Sequence, residues 1–253
     1  MSSSPLTPPE TRVPKPSLAW SAKSSSYEDG RYLEKNPSWH AEESPFKVRQ
    51  IVRMMKQQSL RPKTVCDVGC GVGGVLSELQ AHLPDDCQCW GYDVSPQAIA
   101  IARARGNNKL RFEVRDVRRD RCDVFSDLVL ILDVFEHVED YMGLVRDVRE
   151  KGNLKLFHIP LDLSVQAVMR RNGLLKRRND FAHLHYFTKE TALRTLTDVG
   201  YELVDYFFTP RCIELGDQLI QKLVRGPRRL CFVLAPDLTV RILGGYSLLV
   251  LAR

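Results

Sequence analysis

No stretch of this 253-residue chain approaches the roughly 18 uninterrupted apolar residues that a membrane-crossing helix needs, so no transmembrane segment is expected. The first residues lack the apolar core of a secretory signal peptide, and no internal repeat is visible. The seven cysteines lack framework spacing and are odd in number, which argues against a disulfide scaffold and predicts a reducing, cytoplasmic setting. Cys66 with Cys70, and Cys87 with Cys89, sit close in sequence, but neither pair has the C-x-x-C spacing of a zinc knuckle; they read as small buried hydrophobes. Positive charge is not gathered in one stripe. The net +6 is spread along the chain, so nucleic acid is not the expected partner.

What is present suits one α/β domain with additions, since 43% of residues are hydrophobic and the length can bury a substantial core. Residues 1–26 are rich in Ser and Pro and poor in large apolar side chains, apart from Trp20. They cannot offset the entropy of ordering and predict a disordered tail. Residues 27–60 are dense in aromatics and charge (Tyr27, Tyr32, Trp39, His40, Phe46). They end in a helical pattern opened by Ser44 as N-cap and Pro45 at the first helical position. Such a helix either closes over a ligand or simply packs on a sheet.

Residues 65–74 read V-C-D-V-G-C-G-V-G-G, with a helix expected over 75–82. An apolar strand, a tight glycine turn and a helix start make the element that usually holds nucleotide-type ligands. Gly69-x-Gly71-x-x-Gly74 also satisfies the dinucleotide fingerprint, and a bare glycine turn is the plainest alternative. Charge separates the ligands: a pyrophosphate would be repelled by Asp67, whereas the sulfonium and ammonium of S-adenosylmethionine would be attracted. Asp67 and the backbone of Gly69, Cys70 and Gly71 are therefore the expected contacts of the methionine moiety. Asp93 closes the next strand, 88–93, where two carboxylate oxygens match two ribose hydroxyls. Asp116, with Val117, follows a strand over 110–114 and suits the adenine amino group. The apolar run 125–135 reads as a strand buried on both faces and ends at Asp133, beneath the methyl to be transferred. A helix over 141–149, strands over 153–159, 201–208 and 246–252, and a helix over 189–199 capped by Thr188 complete the pattern.

That ordered set, D-V-G-C-G at 67–71, Asp93, Asp116, D-V-F-E-H-V-E-D at 133–140 and H-L-H-Y-F-T at 183–188, resembles the class I S-adenosylmethionine-dependent methyltransferases, especially the ubiquinone-biosynthesis-like group. The resemblance covers about residues 64–200. It implies an α/β fold with a Rossmann-like seven-stranded, mostly parallel sheet, helices on both faces and a final antiparallel hairpin. An N-terminal helical extension and inserts after strands 5 and 6, at 163–182 and 209–245, lie on the substrate side of the domain 27–253. Implied is a methyltransferase acting at O, N or C of a small-molecule acceptor. RNA or protein methylation, a silent cofactor-binding module and an NAD-dependent reductase are the alternatives.

His137, His183 and His185 are the candidate general bases, because imidazole titrates near working pH; each also suits a structural hydrogen bond. Asp133-x-x-Glu136-His137 with His183 or His185 offers the donors of a metal set and resembles the metal motif of small-RNA 2′-O-methyltransferases. It departs by carrying Asp133 where that family has glutamate, and the same string occurs in metal-free relatives. No metal is expected. Basic clusters at 170–178 and 225–229 lie beside Leu174, Leu175, Leu230 and Phe232. Such clusters are either solvated faces on lid segments or a site for an anionic partner, and the apolar neighbours favour an anionic or amphiphilic acceptor, or peripheral contact with a membrane, over RNA.

Overall fold

The computed structural model describes residue 39 and residues 41–118, 125–215 and 219–253, with backbone alone at 219–222. The expectations for the tail 1–26, Trp20, Tyr27, Tyr32 and His40 lie outside the described residues.

In chain order the elements are α1 (Ser44–Gln57), β1 (Thr64–Val68), α2 (Gly74–Leu79), β2 (Gln88–Asp93), α3 (Pro96–Ala102), β3 (Leu110–Val114), β4 (Ser126–Leu132), α4 (Tyr141–Arg149) and β5 (Gly152–Pro160). The first insert folds as α5 (Val165–Met169) and α6 (Gly173–Phe181), followed by α7 (Lys189–Asp198) and β6 (Leu203–Thr209). The second holds α8 (Arg211–Glu214), α9 (Leu219–Leu234) and α10 (Pro236–Leu243) before β7 (Ser247–Ala252). Local chemistry sets several starts: Ser95 caps α3, with Pro96 next in line, Asp140 caps α4, and Thr188 forms a capping box with Thr191 at α7. Ser44 is not the cap it was expected to be. The turn Ala41–Glu43 runs straight into α1, and Glu43 at the cap position makes no side-chain cap bond, because its carboxylate is drawn to Arg211.

The seven strands form one sheet in the order β3-β2-β1-β4-β5-β7-β6. β1 to β5 pair in parallel, and β7 runs antiparallel to both β5 and β6. Period-two alternation sends the central strands' side chains to opposite faces. Val65, Leu128, Leu130 and Leu156 join Ile51 and Met54 of α1, Leu76 of α2 and Ile99 of α3. Cys66, Val129, Ile131 and Phe157 join Val145 of α4 and Leu196 of α7. The strand order reverses between β1 and β4, and in open parallel sheets the crevice outside the strands' carboxyl ends at such a reversal is where ligands bind.

Candidate active site

The carboxyl ends of β1, β2, β4 and β5 open on one cleft of about 1170 Å³. A single-ligand pocket is usually about 300–1,000 Å³, so a nucleoside-sized molecule and a second reactant fit side by side. The floor is the loop from β1 to α2. Gly69 and Gly71 adopt φ of 79° and 53°, and a Cβ at either would stand 2.6 Å from Val134 or Trp39 respectively. Both positions need left-handed backbone and an absent side chain. The amides of Gly69 and Cys70 donate to the Tyr92 carbonyl at 2.8 and 3.0 Å, and the Gly71 amide donates to Asp93 Oδ2 at 2.9 Å. Asp93 Oδ1 accepts from the Ser95 amide at 2.8 Å. Asp93 thereby ties the glycine loop to the start of α3, and each oxygen keeps a second lone pair for a ligand hydroxyl.

Asp67 stands apart from this network. It is 2% exposed, and its Oδ1 has no hydrogen-bond partner among the described residues. Burial pushes its pKa up to about 7, opposed by Lys47 and aided by Asp93. A buried carboxylate with an orphaned oxygen, lining a cleft, is complementary to a cationic ligand and hostile to a phosphate. Asp116 and Val117 also line the cleft. The Asp116 carboxylate accepts from the Arg118 amide at 3.0 Å and pairs with its guanidinium at 3.3 Å, which fixes its orientation.

Asp133 is engaged more fully than its place in the motif suggested. Oδ2 pairs with Lys47 Nζ and Oδ1 with His158 Nδ1, each at 2.6 Å, and His158 Nε2 meets the Thr209 hydroxyl at 2.9 Å. Burial opposes ionisation, yet His158 and Lys47 hold the Asp133 carboxyl well below the usual carboxylate range. A ligand reaching this point meets an ion pair that clamps α1 to the sheet.

Two of the three candidate imidazoles, His137 and His183, line the cleft. Their rings pack edge to face with centroids 4.8 Å apart. His185 is not among the lining residues: its Nε2 donates to the Val138 carbonyl at 3.0 Å and its ring packs on Tyr141. His137 Nδ1 donates to the Ala182 carbonyl at 3.2 Å, and burial, then His183, pushes its pKa down to about 3, so the ring is neutral. His183 Nδ1 meets the Asp162 carboxylate at 2.5 Å. Glu136 is fully buried beside them. Burial and then the Asp133 charge hold its carboxyl well above the ordinary range.

A family model described as a methyltransferase domain matches residues 39–206. The chain belongs to the methyltransferase-domain family. It is 34% identical over 96 residues to norajmaline N-methyltransferase of Rauvolfia serpentina and 34% identical over 115 residues to ajmaline N-methyltransferase of the same plant. These alignments cover 36% and 41% of this chain but only 32% and 39% of the relatives, so the chain spans under two fifths of the length of the curated relatives it matches. The fold resembles that of the N-methyltransferase NodS of Bradyrhizobium japonicum, solved with S-adenosyl-L-homocysteine, with a TM-score of 0.58 at 17% identity over 91% of this chain and 98% of that one.

Several residues lining the cleft were not given a role from sequence. Trp39 lies against Gly71, Lys47 reaches Asp133, and Arg211 holds Glu43 through both carboxylate oxygens, with Nε to Oε2 at 2.9 Å. Only Lys47 left a trace. It falls on the face of α1 that carries Ser44, Ile51 and Met54, three buried residues, where a lone cation signals a buried partner.

Proposed function

We propose that the chain is an S-adenosylmethionine-dependent methyltransferase that passes a methyl group to O, N or C of a small-molecule acceptor by in-line displacement. The observation that carries this reading is the orphaned Asp67 oxygen beside a glycine loop, in a cleft rimmed by acidic side chains. When bound, S-adenosylmethionine supplies an activated methyl on a sulfonium, with a neutral thioether as leaving group. Asp67 and the backbone of Gly69, Cys70 and Gly71 hold the methionine end, Asp93 the ribose hydroxyls, and Asp116 with Val117 the adenine. Trp39 closes the loop side, and the Lys47–Asp133 pair anchors α1 over the reacting centre. Holding two reactants in line contributes roughly 7–11 kcal/mol of barrier lowering. Proton removal from the acceptor falls to the corner formed by Glu136, His137 and His183.

The acceptor side favours an amphiphilic or anionic molecule and peripheral contact with an anionic membrane. α9 packs on α10, α10 on α5 and α5 on α6, and this cap exposes Val168, Met169, Leu223, Leu230, Val233 and Leu234. Exposed Arg170, Arg171, Lys176 and Arg178 flank the apolar residues, a mixture suited to a headgroup boundary. Arg228 does not belong to that face: its guanidinium bonds the Leu243 and Gly244 carbonyls at 2.6 and 3.0 Å. None of the described helices is long and apolar enough to cross a membrane. A cytoplasmic setting suits the buried thiols of Cys66, Cys70, Cys87 and Cys89.

The test is methyl-labelled S-adenosylmethionine offered with amphiphilic amines, alcohols and phenols, and separately with RNA and protein. Label in a small acceptor supports the reading; label confined to RNA or protein overturns it. For the membrane contact, sedimentation with phosphatidylserine vesicles and none with phosphatidylcholine vesicles is expected, weakened at least tenfold by Met169→Glu with Leu230→Glu.

A further inference from the structure

We propose that Glu136, His137 and His183 form a binding site for a divalent first-row transition-metal ion at the acceptor end of the cleft. The inference rests on the methyltransferase reading for its consequence, and on the following geometry for the site itself. One ligand atom from each residue lies within 4.8 Å of the others. Glu136 has no solvent exposure, and neither carboxylate oxygen has a hydrogen-bond partner among the described residues. A carboxylate so placed is costly unless something cationic completes it. Both imidazoles are oriented from behind. The Nδ1 hydrogen of His137 goes to the Ala182 carbonyl and that of His183 to the Asp162 carboxylate, which leaves the lone pair of each ring on Nε2, and His137 Nε2 stands 3.7 Å from Glu136 Oε1. A carbonyl or carboxylate holding the far ring nitrogen is the support that metal-bound histidines usually have. Asp162 is itself fixed by Arg177, at 3.2 Å.

The wider set suggested by the sequence narrows to these three. Asp133 is taken by Lys47 and His158, and His185 by Val138. Two nitrogens and one carboxylate disfavour magnesium and calcium, which prefer all-oxygen shells, and suit zinc, iron, cobalt or manganese. Ligand atoms around an ion bound at ~2.1 Å sit on the order of 3–3.5 Å apart, so side-chain rotations of about an ångström close the site. Three protein ligands leave positions open towards the cleft. There the ion would bind the oxygen of an acceptor hydroxyl and lower its pKa, so that the proton passes to water in the cleft and the oxygen takes the methyl as the S–CH3 bond breaks and the thioether leaves, which makes a hydroxyl-bearing molecule the substrate class.

The experiment uses EDTA-stripped full-length protein titrated with Zn²⁺ by calorimetry and with Co²⁺ by visible absorption. One ion per chain is expected, with ligand-field bands of nitrogen and oxygen donors. Glu136→Gln and His183→Ala should each weaken binding at least about 100-fold. Asp162→Asn, which loosens the hold on the His183 ring, should weaken it about 10–100-fold, and His185→Ala should leave it unchanged. No stoichiometric ion, equal affinity in the ligand variants, or a thiolate charge-transfer band placing cobalt on a cysteine overturns the proposal. S-adenosylmethionine is titrated into the same stripped protein. Cofactor binding without metal binding sinks this inference alone, whereas loss of both sinks the methyltransferase reading beneath it.

Discussion

In the proposed function, Asp67 is the residue on which cofactor choice turns. Its folded pKa of about 7 exceeds its ordinary value of 3.8 because burial disfavours the charge. The unfolded chain therefore gives up this proton at lower pH than the folded one. Stability from the neutral carboxyl is fully present below about pH 4 and is lost as pH rises through 7, by up to about 4 kcal/mol for a shift of three units. Asp67→Asn should raise the melting temperature of the ligand-free protein at pH 8 and leave it little changed at pH 4, as thermal melts at the two pH values will read. The same substitution should abolish most cofactor affinity, because a cationic ligand selects the ionised form. For the native protein, affinity should fall as pH drops below 7, by up to about tenfold per unit. Affinity that is flat between pH 5 and 8 would remove Asp67 from the site. At Gly71, alanine must adopt φ near +53° and meet the Trp39 ring. Gly71→Ala should cost about 1–2 kcal/mol in denaturant unfolding and weaken the cofactor further by displacing Trp39.

Among the elements, α1 connects sequence legibility with its limits. The strand, glycine turn and helix around 65–79, and Asp93 and Asp116 at strand ends, were legible because their signals are local: apolar runs, glycines and carboxylates at fixed short offsets. β3 and α4 begin and end where the pattern put them. The partners of α1 were not legible, because Lys47–Asp133 and Glu43–Arg211 join residues far apart in the chain, and nothing local encodes a register between elements. The 225–229 cluster misled in the opposite direction, since Arg228 reads as surface charge but bonds backbone carbonyls at the end of α10. Lys47 and Asp133 keep 15% and 23% side-chain exposure, so breaking the pair should cost less than the roughly 3–5 kcal/mol of a sealed one, about 2 kcal/mol. Lys47→Met should show that loss in urea unfolding and loosen α1, read as faster amide exchange across Ser44–Gln57. Unchanged exchange would mean that α1 is held by its apolar face alone.

In the molecule as a whole, one twisted sheet divides two apolar layers, and its strand ends gather Asp67, Asp93, Asp116 and Asp133 along one rim. Chain order alone dictated that convergence, because right-handed crossovers send the loops after parallel strands to the same edge. What order could not reveal was the division of labour along the rim, with Asp93 also bonding backbone, Asp133 bound to cations and Asp67 left open. Central to the account is that this rim receives a cationic nucleoside and refuses a phosphorylated one. Calorimetric titration with S-adenosylmethionine, S-adenosylhomocysteine and NADH, repeated on Asp93→Ala, tests it most directly. One site per chain for the two adenosyl compounds, at least tenfold weaker in Asp93→Ala, and no heat from NADH are the predicted result; NADH bound in preference to S-adenosylmethionine would contradict it.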